Sequence, residues 1–360
     1  MTFRKYTPVK LFMAAAALAY ATFCACPVEP LTAQEKQRLE NEADSFLESL
    51  PDGLQDRQAN AVMRAISGDY SKLLGVRNSR NKAPQISESV DTAAIMIPSS
   101  GGHLIPARLY KPKSPVSAAL PLLVYCHGGG WTFGSINSCA AICDAIAASG
   151  KAMVLAIDYR LAPEHPYPTA LDDVADAVSF ARRELVANGE PLAVGGDSSG
   201  GNLAIACALR LANKAEEHEN TQAATDGLIA IYPVIKAEPT DDSSWISYNR
   251  TYGLDAPLME AFNYAYTGNV ESIVHNPEVS PGYADADMLR NLPPALIINA
   301  GRDILADQGT LFHEALLNAG ARSHHETIPG AVHLFATVSG QPAAFDRTVR
   351  LIIDYMSSLR

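Results

Sequence analysis

Apolar positions along the chain fall into two patterns. Short runs that are unbroken or alternate with polar residues predict strands near Thr92–Pro98, Leu104–Tyr110, Leu122–Cys126, Ala152–Asp158, Leu192–Val194, Leu228–Tyr232, Ala295–Asn299 and Ser323–Ile328. Helices lie between them. Ahead of the first strand, Glu35–Leu50 and Asp56–Leu74 carry apolar residues at helical spacing. The tract from Pro233 to Pro293 breaks the strand–helix rhythm and is rich in aromatics, among them Trp245, Tyr248, Tyr252, Phe262, Tyr264 and Tyr266. No internal repeat is visible.

Chemistry gathers where predicted strands end. Gly196-Asp197-Ser198-Ser199-Gly200-Gly201 follows the apolar run Pro191–Val194 and opens the helical run Asn202–Leu211. A serine at the tip of such a strand–turn–helix projects its hydroxyl from the sheet, and the flanking glycines avoid collisions that a Cβ would cause. The register G-x-S-x-G selects Ser198. A plain glycine-rich turn is the competing reading until partners are found. Upstream, His127-Gly128-Gly129-Gly130-Trp131 follows the strand Leu122–Cys126. Its main-chain N–H groups are suited to an oxyanion, and Gly128, Gly129 and Ser199 are assigned to that hole, against the alternative of a flexible loop. Downstream, Asp303 follows the strand Ala295–Asn299 and His333 follows Ser323–Ile328. Ser198, Asp303 and His333 thus occur in the order serine, acid, histidine, which belongs to one hydrolase architecture and differs from the chymotrypsin-like and subtilisin-like orders.

Five segments together resemble the hormone-sensitive-lipase branch of the α/β-hydrolases, in its bacterial family IV-like form. They are HGGGW, Asp158-Tyr159-Arg160-Leu161-Ala162-Pro163-Glu164-His165-Pro166-Tyr167-Pro168, GDSSGGN, the D-x-L-x-D run Asp303–Asp307 and the G-x-x-H run Gly330–His333. The resemblance covers about residues 85 to 360. It implies an α/β-hydrolase fold, with an eight-stranded, mostly parallel sheet flanked by helices and a helical cap, and it implies a carboxylesterase. The cap would combine residues 27–84 with an insertion at about 233–293, on a catalytic domain of residues 85–360. The family's usual alanine after the nucleophile is Ser199 here, and Gln308 stands where an acid often follows the D-x-L-x-D run. Neither change removes a catalytic group.

Other polar residues have simpler explanations. His127 and His165 sit in turn-forming motifs and read as loop anchors, and His324 and His325 alternate across a strand. Asp307 competes with Asp303 for the acid role but stands where a helix begins, and is expected to cap it. Asp197 is read as support for the nucleophile's turn. Trp131 is expected to wall the substrate pocket. Most of the aromatic tract is cap core.

Composition adds limits. The chain has 360 residues, 48% hydrophobic and 19% charged, enough for a substantial core. Its formal charge of −11 becomes −14 once residues 1–26, with Arg4, Lys5 and Lys10 and no acid, are removed. That balance argues against nucleic acid and anionic membrane surfaces as partners. Residues 1–26 read as an export signal, with a basic start, the apolar run Leu11–Ala21 and then small residues. Cleavage after Ala19-Tyr20-Ala21 and lipid attachment at Cys26 are both open, so the expected location is periplasmic or extracellular, with or without an anchor. Of the remaining cysteines, Cys126 and Cys207 read as buried hydrophobes and Cys139 and Cys143 as free thiols one helical turn apart. No Cys/His spacing suits a metal, and no cofactor is expected. The expected partner is a small-molecule ester of about two to eight acyl carbons, given the resemblance and no long apolar surface segment for lipid aggregates; a homodimer is left open. A deacetylase or amidase acting on a small metabolite or sugar ester shares the same machinery, and a non-catalytic ligand-binding protein of this fold is the alternative from another class.

Overall fold

The computed structural model describes residues 30–117, 119–186, 189–217 and 225–359. The expected export signal and Cys26 lie outside the described residues. The first helix, α1 (Ala33–Ser49), begins at a capping box in which Thr32 and Glu35 exchange side-chain and backbone bonds. The helical run expected at Asp56–Leu74 is two helices, α2 (Leu54–Ile66) and α3 (Ser71–Arg80). Gly68, in left-handed backbone at φ 96°, turns the chain, and the Asp69 carboxylate accepts the Ser71 N–H at 3.1 Å, so a second helix starts in a new direction.

The remaining elements alternate. They are β1 (Val90–Pro98), β2 (Leu104–Pro112), β3 (Leu122–Cys126), α4 (Ala140–Ala148), β4 (Met153–Ile157), α5 (Thr169–Phe180), β5 (Leu192–Asp197), α6 (Ser199–Glu217) and β6 (Gly227–Ile231). After the insertion helices α7 (Ser243–Ser247), α8 (Ala256–Thr267), α9 (Glu271–Val274) and α10 (Ala286–Arg290) come β7 (Ala295–Arg302), α11 (Ala306–Asn318), β8 (Ser323–Val332) and α12 (Pro342–Ser358). All eight expected strands are present. Where β8 continues past Ile328 through Pro329 and Gly330, it is an edge strand, so the missing proline N–H breaks no interior ladder.

The eight strands form one sheet in the order β1-β2-β4-β3-β5-β6-β7-β8. The β1–β2 and β2–β4 pairs are antiparallel and the other five are parallel. Alternation along a strand divides the core between its faces: Leu122, Val124 and Cys126 of β3 pack with α5, α6 and α11, while Leu123 and Tyr125 pack with α4 and α12. The chain order reverses between neighbouring β3 and β5, so the loops leaving them part at their C-terminal ends and open the crevice in which ligands of such sheets bind.

Helix α8 reaches the loop that leaves β3, where Phe262 lies against Gly130 and Tyr266 stacks on Trp131. Helix α2 packs against α8 of the insertion, whereas α1 lies along β8 and α12 instead. Leu73, the buried residue of α3, belongs to the main core together with Trp131. Leu73→Ala is therefore expected to lower unfolding stability by about 2–4 kcal/mol in urea titration. A loss within experimental error would show that the N-terminal helices are not packed as an integral part of the core.

Candidate active site

The turn after β5 places Ser198 in left-handed backbone at φ 55°, unusual for a residue with a Cβ and held here by its surroundings. The Ser198 N–H donates to Ile231 O at 2.8 Å, and its carbonyl accepts the Asn202 N–H at 3.0 Å as α6 begins. A Cβ on Gly196 or on Gly200 would overlap the carbonyl oxygen of Cys126, so β3 can pass this close only if both are glycine.

Two neighbours complete a chain of hydrogen bonds. Ser198 Oγ lies 3.0 Å from His333 Nε2, and His333 Nδ1 lies 2.5 Å from Asp303 Oδ2. The other Asp303 oxygen accepts the Leu305 N–H at 3.1 Å, which fixes the carboxylate. His333 is held through its backbone: Gln341 Oε1 accepts the Val332 N–H at 2.9 Å, and Gln341 Nε2 donates to the carbonyls of Val332 and His333. Ser198, His333 and Asp303 are 6%, 2% and 1% exposed, so the group is almost sealed from solvent. Asp307 is elsewhere. It lies in the first turn of α11, where Leu305 takes the cap position expected for it, and exchanges bonds with Ser244 at the start of α7.

The glycine loop after β3 corrects one expected role. The Gly128 N–H, assigned to the oxyanion hole from the sequence, donates to Asp197 Oδ1 at 3.0 Å and is not free to meet a ligand. Gly129, Gly130 and Ser199 have N–H groups that no acceptor takes among the described residues. The loop is tightly seated: a Cβ on Gly129 would meet Phe133 backbone at 2.7 Å, and one on Gly130 would enter the Phe262 ring. Ser199 does more than the alanine it replaces, because its Oγ accepts the Trp131 N–H at 3.1 Å.

Trp131 itself is a second correction. It has no exposed surface, and its indole stacks on Tyr266 of α8 with centroids 4.5 Å apart. It ties the loop to the insertion and does not wall an open pocket. His127 is the expected loop anchor, stacked on Tyr159 at 4.3 Å, and burial lowers its pKa. The sequence gives no sign of Arg77 in α3, whose guanidinium donates to Thr132 O and Ala162 O and pairs with Glu164, joining α3 to both loops. Gln308, in place of an acid, supplies an acceptor to the N–H groups of Ile235 and Lys236 at 3.0 Å each. Cys126, Cys139, Cys143 and Cys207 are buried thiols that form no disulfide, and no group of three His, Cys, Asp or Glu among the described residues is placed to hold a metal.

Residues 123–337 match the family described as the alpha/beta hydrolase fold. The chain belongs to the hormone-sensitive-lipase type of α/β-hydrolase. Carboxylic ester hydrolase LipN of Mycobacterium tuberculosis is 33% identical over an alignment of 298 residues that covers 76% of this chain and 72% of that one. Ethyl acetate hydrolase of Pseudomonas putida is 32% identical over 81% of this chain and 90% of its own. The crystal structure of a thermostable esterase from Pseudomonas putida superposes with a TM-score of 0.75 at 25% identity, covering 89% of this chain and 98% of that chain. This hydrolase is a carboxylic ester hydrolase.

Within it, Asp197 is the residue beside Ser198 that joins the two loops. Burial pushes its pKa up to about 6, against hydrogen bonds from Tyr125 Oη–H and the Gly128 N–H that favour the carboxylate. A raised acid contributes stability that is complete below about pH 4 and is lost as the pH rises through the folded-state value. Asn at this position keeps the Oδ1 acceptor that both donors use. Asp197→Asn is expected to flatten unfolding stability between about pH 4 and 6. An unchanged slope over that window would contradict the assignment.

Proposed function

We propose that this hydrolase cleaves short-chain carboxylic esters through a Ser198 acyl-enzyme. The observation that carries the reading is the Ser198–His333–Asp303 hydrogen-bond chain at 3.0 and 2.5 Å, on a turn that aims the hydroxyl at the crevice between β3 and β5. Ser198 Oγ attacks the ester carbonyl as His333 Nε2 takes its proton. The His333 Nδ1–H donates to Asp303, which orients the ring and stabilises the imidazolium. The charge that develops on the carbonyl oxygen meets the N–H groups of Gly129, Gly130 and Ser199. His333 then protonates the departing alcohol, and water repeats the sequence on the acyl-enzyme.

Enclosure of Ser198 favours dissolved monomeric esters over lipid aggregates, and the Pseudomonas putida relative is named for ethyl acetate, whose acyl part is acetyl. With p-nitrophenyl butyrate, Ser198→Ala and His333→Ala are each expected to lower kcat on the order of 10⁴-fold, while Asp307→Asn stays within about threefold of the parent. Loss of activity in folded Asp307→Asn with retention in Asp303→Asn would reverse the acid assignment. Across p-nitrophenyl esters, kcat/KM is expected to peak at or below about eight acyl carbons; a maximum at twelve or more, with activation at an oil–water interface, would refute the substrate range.

Export is the second part of this reading, supported by the basic start and apolar run of residues 1–26. In the native host, mass analysis is expected to find an N-terminus after residue 21 to 26, with or without lipid on Cys26. Intact Met1 on protein from the cytosol would contradict it.

A further inference from the structure

A cleft of about 960 Å³ runs beside the site. It is bounded by Gly128, Gly129 and Asp197, which flank the oxyanion loop and Ser198, by Leu334 next to His333, and by helices α1 and α2. Two cations, Arg80 at the end of α3 and Lys82 just after it, also line it. Neither has a hydrogen-bond acceptor or an acidic partner among the described residues, although this chain is acidic overall. The acids on the same cleft are already engaged. Asp144 accepts from the Ser87 N–H and hydroxyl, and Asp197 accepts from Tyr125 and Gly128.

Arg80 is also well placed. Its guanidinium lies over the Phe133 ring, 5.1 Å from the centroid, and the Phe133 N–H donates to Gly129 O at 2.8 Å. One aromatic ring therefore separates the cation from the loop that would receive the oxyanion. The ring face attracts the guanidinium, yet satisfies none of its N–H donors. Burial without an acceptor lowers the Arg80 pKa, a cost that an anionic ligand would remove. A half-buried, unpaired guanidinium beside the site presents the planar fork of N–H donors that matches the two oxygens of a carboxylate.

We propose that Arg80, assisted by Lys82, selects esters that carry a carboxylate away from the scissile bond. The inference rests on the ester-hydrolysis reading above and adds the substrate's charge. No step of the chemistry changes, because the carboxylate is a recognition element that lies in the cleft while the ester carbonyl faces Ser198.

The test compares matched pairs of substrates. One pair places the charge on the acyl side, mono-p-nitrophenyl adipate against p-nitrophenyl hexanoate, and the other on the alcohol side, 4-acetoxybenzoate against its methyl ester. Rates are corrected for spontaneous hydrolysis. In at least one pair, Arg80→Met is expected to lower the ratio of kcat/KM for the anionic over the neutral ester by about tenfold, as loss of a charge-assisted pair would. Arg80→Lys should recover part of that ratio, and raising the salt should compress it in the parent enzyme. A purely structural Arg80, bracing α3 on Phe133, would change both members of each pair alike, and unchanged ratios in both pairs would overturn the proposal. If the parent hydrolyses none of the four, the ester-hydrolysis reading fails as well, which separates that failure from a failure of charge selection.

Discussion

The Asp197 carboxylate is buried between β3 and β5 and accepts hydrogen bonds from Tyr125 on one strand and from Gly128 on the loop that follows it. It precedes Ser198, so its side chain holds the turn of Ser198 against the glycine loop. Burial raises the cost of its charge, and the two donors partly offset it. The gain is position. With the Gly128 N–H taken up, the loop continues with Gly129 and Gly130 toward Ser198, and the N–H of Ser199 lies at the start of the helix on the other side of the same crevice. The left-handed backbone of Ser198 is a strained conformation held by the sheet beneath it.

The structure above the crevice serves the same purpose. Arg77, Trp131 and Tyr266 join α3, the glycine loop and α8, so helices from opposite ends of the sequence cover one site. Gln341 at the start of α12 clamps the backbone on either side of His333. Preorganisation of this kind removes the motion that reacting groups would otherwise have to lose at the moment of reaction.

Sequence periodicity was sufficient for the sheet because each strand from β3 to β7 is buried on both faces and reads as an apolar run. The residues of the hydrogen-bond chain were legible because each follows a strand, Ser198 after β5, Asp303 after β7 and His333 after the edge strand β8. What stayed hidden depended on pairings between distant segments. Three consecutive glycines carry no mark of which N–H is already taken, and Asp197, 69 residues on, decides it. The break after Ile66 escaped a reading of apolar spacing alone, since the period continues across Gly68. Arg77 resembles any helix-surface arginine until the loops around Thr132 and Ala162 fold against it. Trp131 was placed correctly in the loop, but the direction of its ring depends on Tyr266, 135 residues away.

The central claim is that acyl transfer occurs at Ser198 with the developing charge held by the N–H groups of Gly129, Gly130 and Ser199. A crystal structure of the enzyme inactivated by a small alkyl phosphonate examines this most directly, because the tetrahedral phosphorus mimics the acyl-transfer intermediate. The account requires phosphorus bonded to Ser198 Oγ and its unesterified oxygen within about 3.1 Å of those three nitrogens, with the Gly128 N–H still on Asp197. An adduct on another residue, or an oxygen received by Gly128 and turned away from Gly130, would contradict it.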